Sequence, residues 1–336
     1  MIEILLVVFV VLAVIAAWMY SWTFTAHGRI EFLPALICRA AALASRYGSP
    51  VTYSESDRAS ANASTVRLMN LPATPGVIVE DDQLELPDRT LQLRWYRPEN
   101  VENCPVVLNI HGGAWWMGND FIDDAVMRHL CHESGSIVLS VDYRLAPEHV
   151  YPAALEDCYQ SLLYLIEQSP SRGGDAARLV LHGTSAGGGL AAGVCLLSLQ
   201  RGGPAISMQA LVVPVTDLSG QRSGESLQDF ASGYVLTASD LSDMIANYLP
   251  DVAARLQPLA SPAYAENLHE LPPAFVATAQ FDPLRDQGKD FADALKAAGV
   301  QVVSNCYPAT IHGFFGSKSA LRQCITDTAR AIRAMV

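Results

Sequence analysis

Residues Leu181 to Gly193 read LHGTSAGGGLAAG, one serine hydroxyl among five glycines, and this stretch decides the fold. Leu179–Leu181 ahead of it is an apolar run with strand character. Gly187 onward, GGGLAAGVCLLSL, has the pattern of a helix packed close to its neighbours. Between them lies Gly183-Thr184-Ser185-Ala186-Gly187, a G-x-S-x-G. A strand that turns abruptly into a helix crowds backbone and side chains, so only small residues fit two positions either side of the serine. The turn lifts Ser185 Oγ above the sheet, and the helix that follows aims its partial positive charge at that point. Short Gly/Ser patterns also mark ordinary turns; the strand before and the helix after make this one a candidate nucleophile. No G-K-[ST] follows, so it is not a phosphate loop.

Outward from this turn the chain alternates. Short apolar runs recur at Val106–Ile110, Ile137–Val141, Leu179–Leu181, Leu211–Val215, Phe275–Ala279 and Val300–Ser304. Helical patterns fall between several of them, at Ala153–Ser169, Gly188–Leu199 and Gly288–Ala298. Such units bury a mostly parallel sheet between helices, an α/β class. Residues 216–260 are less regular, carry a helix over Ser239–Tyr248, and suit an insertion above the sheet's active edge. Phe32–Tyr47 reads as an amphipathic helix that lies on a bilayer or covers a pocket. Ser49–Pro75 is polar and reads as a linker.

A serine hydroxyl is a poor nucleophile near neutral pH and needs a base, which in turn needs an orienting carboxylate. Asp282 follows the run Phe275–Ala279, and His312 follows the last run. Both stand at strand-to-loop exits, where ligands meet such sheets. Asp282 before Pro283 also suits a turn or a helix cap. Asp286 is a rival acid with a local capping or pairing role as its simpler reading. His269, the other histidine after Ser185, sits in a polar, surface-like context. A developing oxyanion needs fixed donors. His111-Gly112-Gly113-Ala114-Trp115 follows a strand, and the N–H groups of Gly112, Gly113 and Ala186 are the candidates. Trp115, with Trp116 beside it, is the candidate substrate contact.

With 336 residues, half of them apolar and 17% charged, the chain has material for a sizeable core. A net charge of −12 argues against nucleic acid as a partner. Seven scattered cysteines without CxxC spacing point to free buried thiols rather than a zinc site or disulfide framework, which leans toward a reducing compartment. No metal or cofactor is expected. Ile4–Trp22 is uncharged and, at ~1.5 Å per residue, about 28 Å long as a helix. That length and the aromatic cluster Trp18, Tyr20, Trp22 and Phe24 predict a retained single-pass anchor over residues 1–22. A cleaved signal peptide fits less well, because Glu3 is acidic and bulky rings stand where small residues are needed. Arg29, Arg39 and Arg46 after the segment place the catalytic part in the cytoplasm. Asn62-Ala63-Ser64 matches a glycosylation sequon, which would suit the opposite side.

Together these residues resemble the hormone-sensitive lipase family of α/β-hydrolases. HGGAW is similar to that family's His-Gly-Gly-Gly box, and GTSAGG to its nucleophile box in the branch with Thr before Ser. DYRLAPEHVYPAALEDC (Asp142–Cys158), LPPAFVATAQFDPLRDQG and IHGFF are similar to three further family segments, in family order. The resemblance runs from about Val77 to the C-terminus. It implies a bacterial-type esterase of the α/β-hydrolase fold over residues 77–336, with Ser185 as nucleophile, Asp282 as acid, His312 as base, and an oxyanion hole of Gly112, Gly113 and Ala186. It implies a helical cap from residues 23–76 and the insertion at about 216–260, and a bracing role for Asp142–Glu148. Two features depart from the family. Ala114 stands where a third glycine is common, and the N-terminal helix is similar instead to the membrane-anchored arylacetamide deacetylase branch. The implied activity is hydrolysis of short- to medium-chain or hydrophobic esters. A lipid or glycan deacetylase on the same triad is the alternative, and a non-catalytic ligand receptor of the gibberellin-receptor kind a more distant one. A homodimer is compatible with the chain.

Overall fold

The structure is a computed structural model that describes residues 2–47 and 51–336, with side-chain exposure described from Val8 onward. Helix α1 (Ile2–Ser21) leads through two short paired strands, β1 (Phe24–Thr25) and β2 (Gly28–Arg29), to helices α2 (Phe32–Tyr47) and α3 (Glu55–Met69). A hairpin, β3 (Val77–Leu86) and β4 (Arg89–Pro98), then opens the main sheet.

The alternating part follows as β5 (Cys104–Ile110), α4 (Asp124–Ser134), β6 (Ile137–Asp142), α5 (Ala153–Gln168), β7 (Gly174–Thr184), α6 (Ala186–Arg201) and β8 (Met208–Val212). After α7 (Ser226–Asp229) and α8 (Ala238–Tyr248) come β9 (Ala274–Phe281), α9 (Arg285–Ala297), β10 (Val302–Ile311) and α10 (Lys318–Met335). The eight-stranded sheet has the order β10-β9-β8-β7-β5-β6-β4-β3, parallel throughout except where β4 pairs with β3 and β6.

Every residue of β5 and β8 is buried, as expected of strands covered on both faces. Alternation sorts their side chains. Val106, Leu108 and Ile110 join the layer with Leu155 and Leu162 of α5 and Leu190 and Val194 of α6. Val107 faces the other layer, with Met127 and Leu130 of α4 and Leu321 and Ile325 of α10. The strand β8 ends at Val212, earlier than its apolar run predicts. Val213 takes a φ of 43°, outside extended geometry, and Pro214 follows.

Two N-terminal expectations are overturned. Among the described residues no helix is long and apolar enough to cross a membrane. The rings expected as an interfacial belt make local contacts instead. Trp18 meets Trp22 edge-on at 4.8 Å, Arg29 lies over Tyr20 at 5.0 Å, and Arg39 over Trp22 at 5.7 Å. The transmembrane anchor is therefore withdrawn, and with it the membrane localisation and the cytoplasmic placement argued from Arg29, Arg39 and Arg46. Helix α2 instead buries Pro34, Ala35 and Cys38, the last two in a cluster with Phe230, Phe281 and Ile311.

The linker reading of residues 49–75 is the second correction, over residues 51–75; its first two residues lie outside the described residues. Helix α3 starts at Ser54, whose hydroxyl accepts from the Asp57 N–H at 3.2 Å, and it packs on the domain. Its inward face carries Arg58, Asn62, Thr65 and Met69 rather than an apolar stripe, so hydrophobic periodicity does not reveal it. Asn62 is 7% exposed and its side-chain amide is fully engaged with the loop at Gly118 and Asn119, which is incompatible with a glycan on that nitrogen. All seven cysteines are free, and all but Cys306 are buried.

Candidate active site

Strand β7 ends at Thr184 and α6 begins at Ala186, so Ser185 alone makes the turn, with φ 57° and ψ −118°. That conformation is strained for an L residue and is held by its surroundings. The Ser185 N–H donates to the Val212 carbonyl, and the Ser185 carbonyl accepts from Gly188, Gly189 and Val215. The small neighbours are sterically required. A Cβ on Gly183 would stand 2.1 Å from the Gly187 carbonyl oxygen, and one on Gly187 2.1 Å from that of Ile110.

Two distant segments converge on this turn. The Ser185 hydroxyl donates to His312 Nε2 at 2.9 Å, and His312 Nδ1–H donates to Asp282 Oδ2 at 2.8 Å. Asp282 is fully buried, and its other oxygen accepts from the Leu284 N–H at 2.8 Å. His312 and Ser185 are each 9% exposed. The rivals lie elsewhere. Asp286 pairs with Arg285 at 2.8 Å and accepts from the Ser226 N–H, while His269 is exposed.

The loop after β5 passes directly over the serine. A Cβ on Gly112 would lie 2.9 Å from the Thr184 carbonyl and 3.4 Å from Ser185 Cβ. Among the described residues the N–H groups of Gly112, Gly113 and Ala186 donate to no protein acceptor, so they are free to face a ligand. Several hydrogen bonds fix this loop from outside. Tyr143 Oη donates to the His111 carbonyl at 3.0 Å, Arg58 Nε to the Trp116 carbonyl at 2.7 Å, and the Ala146 N–H to the Trp115 carbonyl at 2.7 Å. Asp157, fully buried, holds Arg144 at 2.8 Å and Arg89 at 2.7 Å beneath the 142–148 segment. Ala114, in the third-glycine position, has φ 50°, a left-handed value that glycine adopts without strain.

A cavity of about 230 Å³ opens above Ser185 and His312. Its wall is mainly apolar, with Met69 from α3, Val235 and Leu236 from the segment before α8, Met244 from α8, and Trp116. Trp115 is not on that wall. Its ring stacks on Tyr248 at 4.5 Å within the core, because the left-handed turn at Ala114 and Trp115 directs it inward, and Trp116 faces the cavity instead. Sequence reading missed three groups near the site: Arg58 and Asn62, hidden in a polar helix, and Asp123 on the cavity wall.

Below the serine, on the sheet face toward α4, Asn109 bridges three groups. Its amide donates to Asp123 Oδ2 and Ser140 Oγ, both at 2.9 Å, and its carbonyl accepts from His182 Nδ1–H at 2.8 Å. Burial pushes His182 and His111 down to about 4, and Asp123 up to about 6.

Comparison with known proteins agrees with this architecture. A family profile described as α/β-hydrolase fold matches residues 107–316. The carboxylic ester hydrolase LipN of Mycobacterium tuberculosis is 38% identical over 252 residues, which is 72% of this chain and 66% of that protein. The carboxylesterase NlhH of the same organism is 34% identical over 299 residues, 85% of this chain and 91% of the relative. The crystal structure of a thermostable esterase from Pseudomonas putida, 31% identical, superposes with a TM-score of 0.82 over 91% of this chain and 97% of its own. With a buried Ser–His–Asp array at a strand-to-helix turn and these relatives, the chain belongs to the hormone-sensitive-lipase-like esterases of the α/β-hydrolase family and is a serine ester hydrolase.

Proposed function

We propose that Ser185 is the nucleophile, His312 the general base and Asp282 the orienting acid in a two-step hydrolysis of short- to medium-chain or hydrophobic carboxylic esters. The observation that carries this reading is the unbroken hydrogen-bond relay between residues 127 and 30 positions apart in sequence. In the first step His312 Nε2 takes the hydroxyl proton as Ser185 Oγ attacks the ester carbonyl. Asp282 fixes the tautomer by accepting at Nδ1 and stabilises the imidazolium as it forms. The N–H groups of Gly112, Gly113 and Ala186 hold the developing oxyanion, and the positive end of α6 adds to their field. The imidazolium protonates the departing alcohol, and water, deprotonated by the same nitrogen, releases the acid.

The size and lining of the cavity support the substrate class. About 230 Å³ is below the ~300 Å³ lower range of drug-sized pockets, and the wall is mostly hydrocarbon. The hydrogen-bonded imidazole weighs against a non-catalytic receptor. The test is turnover of p-nitrophenyl esters from acetate to decanoate by the wild type and Ser185→Ala. The variant is expected to lose at least about 10⁴-fold in kcat, with the wild type most efficient on the shorter half of the series. Wild-type activity in Ser185→Ala overturns the nucleophile assignment, and efficiency rising to decanoate overturns the acyl-length reading.

A further inference from the structure

The catalytic cavity has a smaller neighbour. A void of about 20 Å³ lies between the sheet and helices α4 and α10, and its wall is mainly hydrocarbon, from Leu130 of α4, from Phe314, and from Leu321 and Ile325 of α10. Met69, Val126, Thr184 and Gly313 line both spaces, so these four residues form the partition between them. Thr184 and Gly313 are the chain neighbours of Ser185 and His312, and the partition therefore starts beside the reacting groups. Its members differ in what they can yield. Thr184 and Gly313 belong to the backbone that places the triad, and Val126 is short and branched at Cβ. Met69 is the one long, unbranched side chain of the four, of the kind that fills irregular gaps and tolerates replacement. It is the last residue of α3, 8% exposed, in one cluster with Val126, Leu130 and Leu321. The chain around it is tied down on both sides. Arg58 and Asn62 join α3 to the loop over the serine, and His129 Nε2–H donates to the Pro72 carbonyl at 3.0 Å. A substitution at Met69 thus alters the partition without releasing the helix that carries it.

We propose that Met69 is a specificity-determining residue that limits the length of the acyl chain: its side chain closes the catalytic cavity against the space between α4 and α10, and shortening it opens that space to the chain. The inference rests on the esterase reading above and gives the acyl end of the ester a direction in the cavity, toward Met69. The acyl rather than the alcohol part is assigned there for two reasons. The space ends blindly, since Leu321, Cys324, Ile325 and Thr328 on its far side are all buried. The acyl group also stays bonded to Ser185 after the alcohol has left, so it is the part that a blind pocket can hold through both steps. Each further CH₂ that moves from water into such a hydrocarbon wall raises kcat/KM about fourfold.

The readout is the ratio of kcat/KM for p-nitrophenyl octanoate over p-nitrophenyl butyrate. In Met69→Ala the ratio is expected to rise about tenfold or more over that of the wild type, from about two further CH₂ groups buried at about fourfold each. The double variant Met69→Ala/Cys324→Met refills the space from α10, because Cys324 lines the small void and not the catalytic cavity. Its ratio is expected to return to within about twofold of the wild-type value, since the lost volume is restored where the chain would lie. An unchanged ratio in Met69→Ala overturns the proposal, and so does a ratio that stays high in the double variant. A rise for octyl over butyl acetate without one for the p-nitrophenyl pair puts the alcohol in that space and also overturns it. If Met69→Ala does not fold, Met69→Val is measured in its place, and an unchanged ratio there overturns the proposal. Failure of the esterase reading is seen separately, as absence of wild-type turnover of p-nitrophenyl butyrate.

Discussion

The Gly118 N–H donates to the side-chain oxygen of Asn62 at 3.0 Å, joining α3 to the loop that carries Gly112 and Gly113. The Asn62 nitrogen completes the clamp on Asn119, at 2.6 Å to its side chain and 3.2 Å to its carbonyl. Gly118 cannot be pinned by a side chain of its own. With φ 120°, a Cβ there would collide with the His111 ring at 2.1 Å. Asn62 is thus a positioning residue for the proposed oxyanion donors. Asn62→Ala is expected to lower kcat about tenfold with KM little changed, because the donors act on the transition state rather than the bound ester. Stability is expected to fall by about 1–3 kcal/mol from the orphaned buried groups. A rise in KM at constant kcat contradicts this role.

Buried titrating groups oppose one another in acid. His111 and His182 are pushed by burial from 6.5 down to about 4. The unfolded chain takes up their protons first as pH falls, so the stability they contribute is full above pH 6.5 and is lost toward pH 4. Asp123 and Asp142 are pushed by burial from 3.8 up to about 6. Here the folded state takes the proton first, so their contribution is full below pH 3.8 and is lost as pH rises through 6. Each group changes the unfolding free energy by about 1.4 kcal/mol per pH unit in its window. Urea unfolding between pH 4.5 and 6 is therefore expected to lose stability more steeply with acid in Asp123→Asn, and less steeply in His182→Gln. Slopes that move in the same direction refute the account.

The strained turn was legible in the sequence, and its geometry makes a sharp prediction. A methyl on Gly187 meets the backbone oxygens of Ile110 at 2.1 Å and His111 at 2.4 Å, both belonging to the central strand and the loop above it. Neither can withdraw without opening the sheet. Gly187→Ala is expected to cost about 3 kcal/mol or more and to yield little folded protein. Gly202→Ala, at the end of the same helix, has φ 59° and open space around it, so only the left-handed strain of about 1–2 kcal/mol applies. Thermal unfolding of the two variants side by side checks the contrast.

What could be read ahead of the structure follows from where chemistry and periodicity coincide. Ser185, Asp282 and His312 each follow a strand that carries an apolar run, so their placement at strand exits shows in the sequence. The β3–β4 hairpin was less visible, since it lies at the sheet edge and Glu80, Asp81 and Asp82 break its alternation. Helix α3 escaped because polar side chains form its buried face. Trp115 and Trp116 are adjacent and chemically alike; only the left-handed backbone at Ala114 and Trp115 decides which one faces the cavity. At the N-terminus, apolar length suggested an anchor, whereas the aromatic rings lie against arginines of the same region.

The choice between the two aspartates of Gln280–Asp286 is testable by direct contrast. Asp282 touches His312 at 2.8 Å and is sealed from solvent. Asp286 instead ties α9 to α7, accepting from the Ser226 N–H at 2.8 Å and pairing with Arg285. With Asp282→Asn the amide can offer its N–H to Nδ1, which holds the imidazole in the tautomer whose Nε2 carries a proton and cannot accept from Ser185. The expected loss in kcat is about 10⁴-fold, with KM nearly unchanged. Asp286→Asn is expected to keep hydrolysis within about twofold while losing about 1–3 kcal/mol of stability. Steady-state kinetics and unfolding of both variants decide the matter. If Asp286→Asn is the inactive one, the imidazole takes its carboxylate partner from α9 during turnover, and the proposed acid is wrong.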